Sequence, residues 1–427
     1  MQANDWTGTP AQLALRFIEG LRAGRAQDAA ARFDKPMAEA LSVPQLQAAW
    51  HEAQSELGPW KAIRTPEVHK KEGGTIVVVP CELERGELAV RVVFDEQRRV
   101  SGLWFTKVHA WTPPAYADPS RFEEREVTVG SGPWATTGTL TMPVGEGPFP
   151  AVVLVHGSGP NDRDETSGPH KLFKDLAWGL GTRGIAVLRY DKRTLAHREQ
   201  LKGPARDHFT QKEEYVDDAV EAVALLASVP GIDARRLVVA GHSEGAWLTP
   251  RIAEASKAVR AMVLLAAKGR SDEDVVLEQL EYLAGLDGTT DTQERERMEK
   301  MRQAFALLAS PSFNASTPAS ELPWGIPAAY WMDARSYDAF ATARKVRRPM
   351  FVAQGERDYQ VTMNDFAQWR TTLQGRKDVV LRSYPRLHHH FMEGKGEGKS
   401  TPAEYKMPGH ADENLVTDIA QWIQQLK

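Results

Sequence analysis

Cysteine is nearly missing from this chain. Cys81 is the one cysteine among 427 residues, which excludes an intrachain disulfide framework and leaves a cysteine-based zinc site without ligands. Long apolar runs are missing as well: no stretch reaches the roughly 18 consecutive apolar residues of a bilayer-spanning helix, so no membrane span is expected. Nor is there an excess of one charge. Lys and Arg number 53 against 57 Asp and Glu, a net charge of −4, so there is no basic footprint for nucleic acid and no polybasic membrane anchor. A small or neutral partner is expected instead. The start, "MQANDWTGTPAQ", lacks the basic and apolar regions of a signal peptide. It fits a native cytoplasmic terminus, and equally the end left when the export signal of a periplasmic or secreted protein is removed.

What is present is an ordinary globular composition, 42% hydrophobic and 26% charged, on a chain long enough for at least two cooperative units. Residues 10–55 carry helical periodicity, with Leu13, Phe17 and Leu21 at four-residue spacing, and predict two or three helices. From 67 to 107 the period changes to two, with turn signals at Gly73-Gly74 and near Gly86, which predicts a meander of about four strands. The first unit, 1–111, is therefore a small α+β domain, and the proline-rich stretch 112–120 is a linker.

Beyond it, 121–427 reads as a second domain. After a hairpin-like start, "PFPAVVLVHGSG", "GIAVLRYD", "RRLVVAGHS", "AMVLLAA", "RPMFVAQGERD" and "DVVLRSYP" are short, nearly continuous apolar runs, as expected of strands buried on both faces. Helical patterns lie between most of them, so the expected fold class is α/β, a doubly wound and mostly parallel sheet. Residues 270–340 break the alternation with amphipathic helices and a stretch rich in proline and aromatics, a helical cap inserted between two strands. Its "ERERMEK" run places opposite charges at i,i+4 spacing and predicts a solvated helix face.

The chemistry centres on "RLVVAGHSEGAW". Gly241-His242-Ser243-Glu244-Gly245 follows a buried strand and opens a helical run, the strand-turn-helix setting of a nucleophile elbow, in which flanking glycines let backbones approach where a Cβ would collide. A serine hydroxyl needs a base to take its proton and a third group to orient that base. Asp358, or Glu356 beside it, follows a later buried strand, and His388, His389 and His390 follow the last one. The chain order nucleophile, acid, base is that of the α/β-hydrolase triad. Three consecutive histidines cannot all face one ion and no carboxylate cluster accompanies them, so no metal site is expected there, and acyl transfer by a serine needs neither metal nor organic cofactor.

Seven separated segments, "LVHGSGPNDRDET", "LRYDKR", "GHSEGAWLTPRIA", "YWMDARSYD", "QGERDYQV", "YPRLHHHF" and "TPAEYKMPGHADENLVTDIAQWI", resemble a group of bacterial α/β-hydrolase esterases related to dienelactone hydrolases and prolyl-oligopeptidase-type peptidases. The resemblance covers about 125–427; residues 10–110 resemble more weakly the cone-shaped, nuclear-transport-factor-like domain of unknown function that such proteins often carry. Matched motif by motif, it implies Asp358 as the acid and His389 as the base. The family's "YDKRG" turn is "YDKRT" here, which implies a different path for the loop around Thr194, and His388 and His390 replace commoner residues beside the base.

Two backbone N–H groups should stabilise the oxyanion: Glu244, after the nucleophile at a helix N-terminus, and Ser158 or Gly159 in the "HGSG" loop. His156 reads as a brace of that loop, as do Asp162, Arg163 and Asp164. The cap aromatics Tyr282, Trp324, Tyr330 and Trp331 are candidate substrate-binding residues, although such side chains also build a cap's own core. The Gly-rich stretch after His390 reads as a mobile rim.

The expected protein is a serine carboxylesterase for small acyl esters. Its rivals are a peptidase or amidase, an acyl-transfer or C–C hydrolase on the same machinery, and a binding protein on an inactive scaffold. A small-molecule ester is the expected partner, and a homo-oligomer is compatible with the sequence.

Overall fold

A computed structural model describes residues 6–55, 57–71, 73–109 and 111–426. The chain divides into two compact units, Met1–Thr112 and Pro113–Lys427.

In the first unit, helix Pro10–Arg22 begins at a capping box in which Thr9 and Gln12 exchange hydrogen bonds. It buries Leu13, Phe17 and Leu21, the stripe that the spacing predicts. Three more helices follow, Ala26–Ala30, Lys35–Ala40 and Val43–Ser55, two of them too short to show a period. Strand Gly74–Leu83 alternates cleanly, burying Val77, Val79, Cys81 and Leu83. It pairs with Gly86–Phe94, which pairs with Val100–His109. Its other edge takes both Glu67–Lys71 and the four-residue strand Trp60–Ile63. This fifth strand lies outside the predicted meander, because four residues with no apolar alternation leave no signal. Burial pushes the Cys81 thiol up to about 12, which makes it an inert core residue.

The second unit is built on eight strands: β1 Phe122–Val129, β2 Thr136–Pro143, β3 Phe149–Val155, β4 Ala186–Tyr190, β5 Ile232–His242, β6 Ala261–Leu265, β7 Met350–Gly355 and β8 Val379–Tyr384. Their order across the sheet is β8-β7-β6-β5-β3-β4-β2-β1. All neighbours from β8 to β4 are parallel, and β2 and β1 add an antiparallel edge. Successive residues of each central strand feed opposite faces. Ala151, Val153 and Val155 of β3 join helices Asp218–Ser228, Glu244–Ala255 and Met363–Thr372 on one side. Val152 and Leu154 join Leu172–Thr182 and Glu413–Gln424 on the other. Two covered faces explain why these strands read as unbroken apolar runs.

The proline-rich stretch is no free linker. The Tyr116 hydroxyl donates to the Ala411 carbonyl at 2.7 Å, and the Asp118 N–H donates to Thr182 at 2.9 Å, so Tyr116 and Asp118 are fastened to the second unit. Between β6 and β7 the cap contributes helices Asp272–Ala284, Thr292–Ala309 and Ala328–Ser336 around a small core of its own, made of Phe305, Leu308, Leu322, Ala328 and Trp331. Helix Thr292–Ala309 buries only Phe305 and Leu308, and its charged run faces solvent as the spacing predicts. Among the described residues no helix is long and apolar enough to cross a membrane.

Leu264 of β6 is fully buried among side chains of the first face. Leu264→Ala is expected to lower the unfolding free energy by about 3 kcal/mol, the usual cost of a core leucine truncation, as read from denaturant melts.

Candidate active site

The carboxyl ends of the parallel strands gather the polar residues, as open α/β sheets do. At the end of β5 the chain turns through Ser243, whose φ of 53° and ψ of −116° are strained for a residue with a side chain, and enters helix Glu244–Ala255. Two close approaches hold that turn. A Cβ on Gly241 would lie 2.3 Å from the Gly245 carbonyl oxygen, and one on Gly245 would lie 2.3 Å from that of His156. The Ser243 N–H donates to Leu265 at 2.8 Å, which ties the turn to β6.

Asp358 sits in the turn after β7 and is buried. Its Oδ1 accepts the N–H groups of Gln360 and Val361 at 2.7 and 3.0 Å, and its Oδ2 accepts from Gln354 at 3.2 Å and lies 2.6 Å from His389 Nδ1. With all those donors aimed at it the carboxylate is an acceptor, so Nδ1 carries a proton and Nε2 is the ring nitrogen that Asp358 does not engage. Glu356, the other candidate orienter, is exposed and accepts from Ser383 at 2.7 Å.

The three histidines have different partners. His389 faces Asp358, while the His388 ring stacks on His170 and packs on Tyr405, its Nδ1 accepting the His390 N–H at 3.1 Å. His390 Nδ1 meets His170 Nδ1 at 3.1 Å. Burial, helped by neighbouring histidines, pushes His388 down to about 3 and His390 well below the ordinary imidazole range.

The loop after β3 presents Ser158 and Gly159 to the same space as Ser243 and Glu244. Its carbonyls are held by hydrogen bonds. The Lys192 ammonium donates to Gly157 and Gly159 carbonyls at 2.8 and 2.9 Å, and Asn161 donates to those of Ser158 and Gly159. Lys192 is buried, paired with Glu214 at 2.8 Å, and lies 3.9 Å over the Tyr215 ring; burial pulls it below the ordinary lysine range despite Glu214. His156 Nε2 donates to the Asp162 carbonyl at 3.0 Å, and burial lowers this imidazole to about 4, so it is a neutral loop brace. Arg163 forks onto Asp191, and Asp164 pairs with Arg189 and Lys171.

A cavity of about 770 Å³ opens over Ser243. Trp324, Tyr330 and Trp331 line it from the cap, with Trp324 stacked on Trp331 at 6.0 Å; Trp331 and Tyr330 also belong to the cap core, so they serve as both core and wall. Tyr282 does not line it, which corrects the expectation from sequence. Its hydroxyl donates to the Lys399 and Ser400 carbonyls and its ring stacks on Tyr359 at 5.3 Å. The rim stretch that receives it is likewise fastened. Buried Arg357 pairs with Glu404 and donates to the Gly398 and Lys395 carbonyls.

Sequence reasoning missed a further part of the wall, Thr194, Arg198, Leu201, Arg206 and Phe209, carried by a four-residue helix, two 3-10 turns and the loops around them, with no period to read; the altered turn at Thr194 was its one signal. It also missed the polar floor. The Glu244 carboxyl receives Gln211 at 2.7 Å and Lys268 at 2.9 Å, and burial raises it above the ordinary carboxyl range although Lys268 opposes this. Lys268 also pairs with Asp272 at the start of the cap.

A serine on a strained turn between a central parallel strand and a helix, with a carboxylate-held imidazole carried by loops of the same sheet edge, defines the α/β-hydrolase class. The comparisons agree: residues 152–404 match the alpha/beta hydrolase family, and the chain belongs to it. Residues 14–103 match a family described as a protein of unknown function, DUF3887. The chain is 38% identical over 416 residues to Esterase EstD of Thermotoga maritima, covering 96% of this chain and 95% of that one. Among solved structures it is similar to an esterase of Pyrococcus furiosus, at 14% identity and TM-score 0.44 over 75% of this chain and 96% of that one. It is also similar to a dienelactone hydrolase of Anabaena variabilis, at 16% identity and TM-score 0.42 over 72% and 99%.

Because backbone oxygens, which cannot swing aside, crowd the place of a Gly245 Cβ, Gly245→Ala is expected to destabilise the fold by about 1–3 kcal/mol and to displace the turn. Parallel thermal melts and ester-turnover assays check both effects.

Proposed function

We propose that this chain is a serine carboxylesterase that cleaves small-molecule esters through an acyl-enzyme. The observation that carries the reading is the 2.6 Å contact between buried Asp358 and His389 Nδ1, which assigns the base role to Nε2, the other ring nitrogen, on a loop at the sheet edge where Ser243 tops its turn. Ser243 Oγ attacks the acyl carbon while His389 Nε2 takes the hydroxyl proton, and Asp358 holds the imidazolium that forms. The N–H groups of Glu244 and of Ser158 or Gly159 receive the oxyanion; one such donor is typically worth about 3 kcal/mol of transition-state stabilisation. His389 then returns the proton to the alcohol oxygen as the ester C–O bond breaks. Water, deprotonated by the same imidazole, attacks the acyl-enzyme and releases the acid. No metal or organic cofactor enters these steps.

The substrate would lie against Trp324, Tyr330 and Trp331, in a cavity whose volume of about 770 Å³ suits a small organic molecule. The relative from Thermotoga maritima carries the name esterase, which supports an ester rather than an amide as the bond cleaved. Turnover of paired nitrophenyl ester and nitroanilide substrates separates the two.

Ser243→Ala is expected to lower kcat on p-nitrophenyl acetate by at least about 10⁴-fold, and Asp358→Asn by about 10⁴-fold because the wrong imidazole tautomer results. Wild-type turnover in Ser243→Ala overturns the proposal.

A further inference from the structure

Glu165 has no part in the steps above, yet its backbone is left-handed, with φ of 50°, a conformation that a side-chain-bearing residue keeps only when its surroundings enforce it. The strain aims a carboxylate into the interior. Oε1 accepts the Gly157 N–H at 2.6 Å, and Oε2 lies 3.0 Å from His242 Nδ1 in an ion pair whose two side chains are 8% and 4% exposed. The other ring nitrogen of His242, Nε2, lies 3.0 Å from the backbone carbonyl of His389. A carbonyl only accepts, so Nε2 carries a proton. Glu165 Oε2 and His242 Nδ1 face each other at 3.0 Å without hydrogen-bond alignment, and a carboxylate so close to Nδ1 favours a second proton there, which makes His242 an imidazolium. Burial works against that charge, but the Glu165 carboxylate outweighs it and raises His242 above the ordinary range. Burial likewise works to raise Glu165, and His242 with the Gly157 N–H brings it below the usual carboxyl range.

The pair thus joins three points of the chain: Gly157 in the loop of the proposed oxyanion donors, His242 next to Ser243, and the backbone of His389. Packing between them is tight, since a Cβ on Gly157 would lie 3.1 Å from Ser243 Cβ and 3.2 Å from Glu165 Oε1. The other charged or titratable groups that face the pair are accounted for. His156 and His390 are kept neutral by burial, Lys192 is matched by Glu214, and the His389 ring, 4.7 Å from that of His242, donates a hydrogen bond through Nδ1 to Asp358.

We infer that Glu165 and His242 are positioning residues, a buried charged brace that fixes the oxyanion loop, the nucleophile and the base relative to one another and acts on the transition state rather than on substrate binding. The inference rests on the serine-hydrolase reading above. The brace exists while Glu165 is ionised and His242 is protonated. Because His242 is raised, the brace persists above the pH at which an ordinary imidazole gives up its proton and is lost as the pH climbs further, when the bare Nδ1 lone pair faces a carboxylate. In Glu165→Gln the amide oxygen still accepts from Gly157 and the amide N–H donates to a neutral His242, so this alkaline loss disappears.

The test is steady-state kinetics from pH 5 to 10 on wild type, Glu165→Gln, His242→Gln and the double variant, each normalised to active sites titrated with an organophosphate. Since misplacement of reacting groups by about 1 Å can cost on the order of 100-fold, each single variant is expected to lose about 10- to 100-fold in kcat with KM changed less than about threefold. Glu165→Gln is expected to lack the wild-type alkaline decline, and the double variant to be no slower than the slower single one. A kcat within about twofold of wild type with an unchanged pH profile overturns the inference, as do losses that multiply in the double variant. A loss that vanishes on normalisation to titrated sites also overturns it, because the pair then serves folding alone. Ser243→Ala, run alongside, keeps the two claims apart: turnover surviving in it overturns the hydrolase reading itself, whatever the brace variants do.

Discussion

The constraint on which the rest of this structure depends is steric. Between the end of β5 and the helix that follows, the turn folds so tightly that Gly241 abuts Gly245 and Gly245 abuts the end of β3, so glycine is required on both sides of Ser243, and Ser243 takes a positive φ. That geometry lifts one hydroxyl above the sheet and sets the first N–H of a helix beside it, where the helix dipole favours negative charge. The strain is local and is borne by the covered sheet beneath. β5 is flanked by β3 and β6 in parallel register, and both of its faces are packed.

Around that turn the molecule spends buried charge on placement. Lys192 holds carbonyls of the loop after β3, Asp358 holds His389, Lys268 links Glu244 to Asp272 at the start of the cap, and Arg357 straps the rim through Glu404. Each of these charges is paired and hydrogen-bonded, the condition under which burying it is tolerated. Removing one partner leaves the other uncompensated in a low-dielectric setting. A site organised in this way should therefore be more sensitive to the loss of a single charge than to the loss of a hydrophobic contact of similar size.

Much of this was legible in the sequence, for identifiable reasons. The apolar runs announce parallel strands because all but the edge strand β8 are buried on both sides, and the glycines around Ser243 announce a close approach. Asp358 and the histidine run lie where later strands end, and the family resemblance singles out His389; the places of His388 and His390 against His170 and Tyr405 are encoded by no local pattern. The wall from Thr194 to Phe209 left only the altered turn at Thr194 as a signal, because irregular turns have no period. Tyr282 was misjudged for a related reason: its orientation is set by the stretch that Arg357 fastens, and a Gly-rich stretch reads as mobile until a distant buried arginine is known to hold it. Glu165 lay in a motif that could be quoted without its purpose being visible, since its role arises from a left-handed backbone and a partner 77 positions away in the chain.

The central claim is that one hydroxyl, that of Ser243, becomes covalently bonded to the acyl group. Peptide mapping by mass spectrometry after treatment with a fluorophosphonate tests it most directly, because it reads the bond itself and not a rate. The account predicts a single adduct, on the peptide containing Ser243, formed in step with loss of ester turnover. An adduct on another residue with the same loss of turnover, or full inactivation with the Ser243 peptide unmodified, would contradict it.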